Sequence, residues 1–305
     1  MSRAATCCTL ALCAGLWAGS ALGQAATSAP APTATPAPDA APVASTSATE
    51  PQWSAEAFGG WANRQGGSQG AFGLVGLSRQ LGRGYVRAAL TDYRSTLEQN
   101  DTALPSNFVV GSLAGGANIA NWVFDGWASY GWQHYGRIAQ AHLTRTSPAG
   151  TGSPYYALGA DFGRIMALRP GWYVTPTLGV SYAYTRLLRP GLAPNGSHDF
   201  QSSEPTWTGT ASLRLDHTLG SRQQHYIGVM AAYHLTDNGL SSLVAPADPA
   251  SPPGLVHYAD GWEEGTLNSS WQLTGRLWLD ATASHTLGMK AGNTTAVSGG
   301  LRLKF

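Results

Sequence analysis

Groups able to attack a bond, shuttle a proton or hold a metal are sparse in this chain, and few stand at a working spacing. A serine hydrolase needs a hydroxyl and an imidazole within hydrogen-bond reach, with a third group to orient the base. Two neighbourhoods supply those residue types, His234 with Asp237 and Ser284 beside His285. With 8 histidines and many serines, neighbours of this kind also arise by chance. No Gly-x-Ser-x-Gly elbow, His-Glu-x-x-His pair or phosphate-binding glycine loop occurs. Gly179-Val-Ser-Tyr-Ala183 and Gly82-Arg-Gly84 come nearest and lack the required glycines. His198 and His257 have no second metal ligand at a diagnostic spacing. The sequence therefore predicts no catalytic residue, no cofactor and no metal site. An embedded hydrolase stays open as an alternative to a non-enzyme.

All 3 cysteines (Cys7, Cys8 and Cys13) fall within residues 1–23. That stretch reads as a secretory signal peptide. Arg3 gives a positive start, Thr6 to Trp17 an apolar core, and Ala21-Leu22-Gly23 a small-x-small cleavage site. Cleavage there leaves Gln24 first and the mature chain free of cysteine. Residues 24–51 are almost wholly Ala, Pro, Thr and Ser, with Asp39 and Glu50 the only charges. Such a segment buries too little apolar surface to offset its ordering entropy, so a disordered Ala/Pro-rich linker is expected.

Residues 52–305 must supply whatever fold there is. Charged residues are only 11% of the chain, against roughly 25% in soluble proteins. A formal net charge of +1 excludes a dominant attraction to nucleic acid. No interior run approaches the roughly 20 apolar residues of a membrane helix. Apolar residues instead alternate with small or polar ones, as in 171–186, 203–216 and 223–236. A strand turns alternate side chains to opposite faces, so each such segment has one greasy and one polar face. Tryptophans and tyrosines gather toward strand ends: Trp53 and Trp61, Trp122 and Trp132, Trp172 and Tyr184, Trp271. Aromatic girdles at two membrane interfaces explain that placement. The fold expected is all-β: a transmembrane antiparallel barrel, with a water-soluble barrel or sandwich as the alternative.

Strands are predicted near 52–64, 68–80, 83–94, 107–118, 121–138, 153–166, 171–186, 203–216, 223–236, 263–274, 277–288 and 294–305. That makes twelve, with ten or fourteen also open because 107–146 is ambiguous; bacterial single-chain barrels have an even number. Short turns alternate with longer loops near 95–106, 139–152, 187–202 and 237–262. The parse points Glu56, Arg87, Asp125, Asp161, Arg214, Asp216, Asp280, Arg302 and Lys304 into the lumen, where both charge signs occur. They either tune a pore or hold a segment in it, or they compensate one another in a filled barrel. The long loops are acidic, suited to divalent cations beside lipopolysaccharide.

The C-terminal strand carries the most specific pattern. Val297, Gly299, Leu301, Leu303 and Phe305 share one face, and the chain ends Gly-Gly-Leu-Arg-Leu-Lys-Phe. This resembles the last strand of bacterial outer-membrane proteins. Tyr156-Ala-Leu-Gly-Ala-Asp-Phe-Gly163, a turn at Leu168-Arg-Pro-Gly171 and the strand from Trp172 to Tyr182 are similar to the mid-barrel hairpin of the autotransporter translocator β-domain. That resemblance spans residues 52–305. It implies residence in the bacterial outer membrane and contact with its lipid and lipopolysaccharide. It also implies handling by periplasmic chaperones and by the barrel-assembly machinery, which reads the C-terminal pattern. Only residues 24–51 separate signal and barrel, so no substantial secreted passenger is expected. The functional expectation is a translocator-like or structural barrel, with a small porin-like channel as the alternative.

Overall fold

The computed structural model of the chain describes residues 53–65, 68–99, 102–140, 143–191, 198–220, 224–239, 259–290 and 292–305. The predicted signal and linker lie outside the described residues.

Alternating sequence becomes strand almost throughout. The strands are β1 (Trp53–Arg64), β2 (Ser68–Leu81), β3 (Gly84–Gln99), β4 (Thr102–Ile119) and β5 (Trp122–Tyr135). Then come the short β6 (Ile138–Gln140) and β7 (Leu143–Arg145), β8 (Gly152–Arg164) and its continuation β9 (Met166–Arg169). The rest are β10 (Trp172–Arg189), β11 (Phe200–Leu219), β12 (His225–Thr236), β13 (Asp260–Gln272), β14 (Leu277–Leu287) and β15 (Thr294–Lys304). All pairings are antiparallel. β1 pairs with β15 from Ser54↔Lys304 to Arg64↔Thr294, which closes the sheet. With β8 and β9 counted as one and β6–β7 as a loop hairpin, the result is a closed 12-strand barrel.

One end carries both described chain ends and the short turns. There the Trp53 amide donates to the Phe305 carbonyl at 3.1 Å. At the same end Ala120 and Asn121 join β4 to β5 with φ of 52° and 67°. Two positive φ values mark a primed hairpin turn, whose twist matches that of the strands it joins. The other end carries the loops, and here strands run further than the sequence suggests. β3 and β4 stay paired out to Gln99↔Thr102, so the loop expected over 95–106 is mostly ladder. β10 and β11 likewise pair out to Arg189↔Phe200. Polar side chains ended the apparent pattern, but backbone pairing continues past the apolar band.

The outer face is apolar, with Val75, Leu90, Leu113, Leu178, Leu213, Val229 and Leu267 all exposed. Trp53 and Trp61 on β1, and Trp122 and Trp132 on β5, bracket it. Ten residues at about 3.4 Å rise, tilted by about 40°, span about 25 Å, the height of a membrane barrel's apolar band.

The inner face divides in two. On β1–β5, β8 and β10 it is an apolar wall of Phe58, Phe72, Leu74, Tyr93, Phe108, Val110, Trp127 and Tyr155. On β11–β14 it is mostly polar, with Thr206, Thr208, His234, Glu264, Asn268, Thr282 and Ser284 buried there beside the rings of Trp262 and Trp278. The large rings fit because glycines lie beneath them. Phe72 lies over Gly60, Tyr93 over Gly70, Trp127 over Gly159 and Phe58 over Gly300, each on the adjacent strand. A Cβ at position 159 would stand 2.7 Å from the Trp127 ring. Gly159→Val should therefore destabilise the folded barrel by about 1–3 kcal/mol through overpacking. Gly265→Ala, where a Cβ meets nothing within 4 Å, should be near neutral. Equilibrium unfolding in urea measures both, and equal losses would contradict the interlock.

Candidate functional site

Below the apolar wall, toward the turn end, ionisable side chains form a belt around the inner face. Register brings them to one level. Glu56 stands opposite Arg302, Asp125 opposite Asp161, Asp280 opposite Ser270, and Ser270 opposite Tyr226. All nine of the sequence-derived lumen charges (Glu56, Arg87, Asp125, Asp161, Arg214, Asp216, Asp280, Arg302 and Lys304) lie on this inner face. Of these, Asp216 and Arg302 have no exposed surface.

The belt is built from local pairs. Arg87 binds Glu56 from β3 to β1. Arg302 grips Asp280 with two prongs, Nε to Oδ2 at 2.9 Å and Nη2 to Oδ1 at 3.0 Å, and donates to Ser270 at 3.2 Å. The Trp278 ring takes both Arg302, at 5.4 Å, and Lys304 Nζ, at 4.6 Å. Arg214 Nε lies 3.0 Å from Asp216, which also accepts from the Tyr226 hydroxyl at 2.8 Å. Tyr85 donates to Asp125 at 2.6 Å, beside Asp161. The five carboxylates and four cations thus nearly balance, as buried charges must.

Glycine again makes the room. The carboxyl groups of Glu56, Asp125, Asp161 and Asp216 lie over Gly76, Gly116, Gly179 and Gly228 of adjacent strands. A side chain at any of these four would push the carboxylate off the wall. The sequence reading placed the charges but missed their glycine seats and the apolar wall above them. One signal was present: the run Ala71-Phe-Gly-Leu-Val-Gly-Leu77 is apolar on both faces. A strand with water inside would not be.

The loop end has its own network. Leu97, Leu104, Tyr135, Ile138, Leu187 and Leu188 form a second buried apolar cluster under the β6–β7 hairpin. Arg189 pairs with Glu204 at 2.8 Å, and Asn238 Nδ2 donates to Glu204 at 3.2 Å. Arg145 on the hairpin holds Asp199. Burial works against the Asp199 charge. Hydrogen bonds from Arg145, the Gly191 amide and Ser147 outweigh it and keep the carboxyl below its usual range.

The hydrolase candidates are not brought together. Ser284 faces the lumen and His285 the outside, where its Nδ1 lies 2.7 Å from Thr295 Oγ1, because neighbours on a strand point to opposite faces. His234 stacks on Trp262 at 5.0 Å and lies 3.4 Å from Glu264. Asp237 instead accepts from the Trp207 amide at 2.8 Å. His257 lies outside the described residues. On β15 Val297, Leu301 and Leu303 are exposed on the outer face, as is Gly299, and Phe305 is exposed at the chain end.

No protein-family model matches the sequence, and no curated protein does. Solved structures do share its fold. The translocator domain of the autotransporter NalP from Neisseria meningitidis is 15% identical, with a TM-score of 0.61 over 86% of this chain and 90% of that one. The β-domain of the Bordetella autotransporter BrkA is 16% identical, with a TM-score of 0.55 over 83% and 99%. An outer membrane channel from Pseudomonas putida F1 is 9% identical, with a TM-score of 0.54 over 87% and 100%. The chain thus has the barrel fold of autotransporter translocator domains, a fold close to that of a channel.

Removing half of a buried pair strands the other half. Asp280→Ala should cost about 3–5 kcal/mol by leaving Arg302 without its carboxylate. Asp280→Leu combined with Arg302→Met should recover much of that loss. The urea midpoint of refolded protein reads both, and a near-neutral Asp280→Ala would show the belt to be incidental to stability.

Proposed function

We propose that this chain is an outer-membrane barrel of translocator type that holds a polypeptide segment in its lumen. The observation that carries this reading is the division of the inner face. Phe58, Phe72, Phe108 and Trp127 point inward and are buried, whereas a water-filled bore would wet such rings at a cost of about 25 cal/mol per Å². A length of chain with one apolar and one polar side can cover that wall and meet the threonine-rich wall and the charged belt. Residues 24–51 are the occupant available within this chain. In an extended polyproline form, at about 3.1 Å per residue, roughly a dozen of them cross the barrel.

Outer-membrane residence draws support from the apolar exterior, the aromatic brackets and the shared fold. The Val297–Phe305 pattern is offered as the signal read by the barrel-assembly machinery. The second reading is a small pore. Charges of both signs around the belt and the likeness to the Pseudomonas channel favour it.

Single-channel recording in planar bilayers separates the two. The full mature chain should be silent, and deletion of residues 24–51 should open a steady conductance. Steady conductance in both forms would make the protein a pore.

A further inference from the structure

On the outer face at the turn end, three arginines share one setting. Arg79 lies over the Trp53 ring at 5.2 Å, Arg164 over Trp122 at 5.0 Å, and Arg169 over Trp172 at 4.7 Å. His217 stacks on the same Trp172 at 4.2 Å, and His225 lies 5.3 Å from Trp271. These sites sit on β1–β2, β5–β8, β9–β11 and β12–β13, so they are spread around the barrel.

Two further observations give the arrangement meaning. The belt carboxylates of this end, Glu56, Asp125, Asp161, Asp216 and Asp280, all point into the lumen. Among the described residues, no acidic side chain faces outward here. The loop end differs, with Asp92 and Glu263 on its outer face. Furthermore, the three arginines are exposed and, among the described residues, engage no carboxylate. A guanidinium laid flat on an indole keeps its N–H edge directed outward, with less entropy to lose on binding an oxyanion. Apolar surface from Leu81, Ile119 and Leu168 continues alongside.

We propose that this end of the barrel is a collar of binding sites for anionic glycerophospholipids. Each Trp–Arg pair takes a phosphodiester headgroup on the guanidinium edge, while the acyl chains lie along the ring and the apolar wall. Lipid is favoured over free phosphate because cation and apolar surface are contiguous. The collar also biases the depth and orientation of the barrel, with its turn end toward an anionic leaflet. The proposal rests on the membrane-barrel reading above.

The test places the full mature chain in phosphatidylcholine vesicles containing spin-labelled phosphatidylglycerol or spin-labelled phosphatidylcholine. The motionally restricted fraction of each label is measured. Phosphatidylglycerol should be preferred by about fivefold per engaged arginine at low salt. The preference should fall close to one in the R79Q/R164Q/R169Q variant, and should persist in the loop-end variant R94Q/R186Q. In the wild type it should shrink at about 1 M salt, where screening is short-ranged. That arm decides the matter if the triple variant does not fold. A wild type without preference, a triple variant that keeps it, or a preference erased by millimolar inorganic phosphate would each overturn the collar. Failure of the wild type to enter vesicles would overturn the membrane reading itself.

Discussion

The constraint on which the structure depends is the pairing of every backbone amide and carbonyl without help from water. Hydrocarbon offers no partner, and each unmet group costs several kcal/mol, so a spanning sheet cannot have an edge. The ladder between β1 and β15 removes the last edge. Closure fixes which face of every strand looks inward. A one-residue slip in any pair would turn Arg302, Asp280 or Asp216 toward lipid. The charged belt therefore works as a register lock as well as a lumen surface. Its cross-strand pairs, Arg87–Glu56, Arg302–Asp280 and Tyr226–Asp216, form only when the ladders are in phase.

Inside the barrel, space is the scarce quantity. The rings of the apolar wall and the carboxylates of the belt both occupy seats left by glycine on the neighbouring strand. That accounts for eight of the 38 glycines without appeal to backbone flexibility. The inward side chains are themselves almost wholly buried, so the interior is not a wide water-filled bore. On the proposed reading, the unequal walls suit an amphipathic length of chain better than water or a free ion.

Most of the barrel was legible in the sequence because period-two alternation is a local property. The strands around Trp172–Arg189 and Thr294–Lys304 could be read directly, and the facing of the belt charges followed from the same alternation along their own strands. Ladder ends were less legible. Past the apolar band, polar residues such as Ser95 and Ser202 remain paired, but hydropathy no longer marks them. The lumen's apolar wall was hidden for a different reason. On β2, Phe72 and Leu74 face inward while Ala71 and Val75 face outward, so alternation vanishes there. The glycine seats are a cross-strand property, since Asp161 and Gly179 meet only once β8 and β10 are in register. Ser284 and His285 show the converse: neighbours in sequence that strand geometry separates.

The central claim is that the two-walled lumen holds a segment of its own chain. Replacing Trp127, on the apolar wall, by a photoreactive benzoylphenylalanine tests it in the assembled barrel. Irradiation should join position 127 to a peptide within residues 24–51, identified by mass spectrometry. The same probe at the outward-facing Leu178 should capture lipid alone. A lumen probe that yields no peptide adduct, in a barrel that is folded and inserted, would contradict the account.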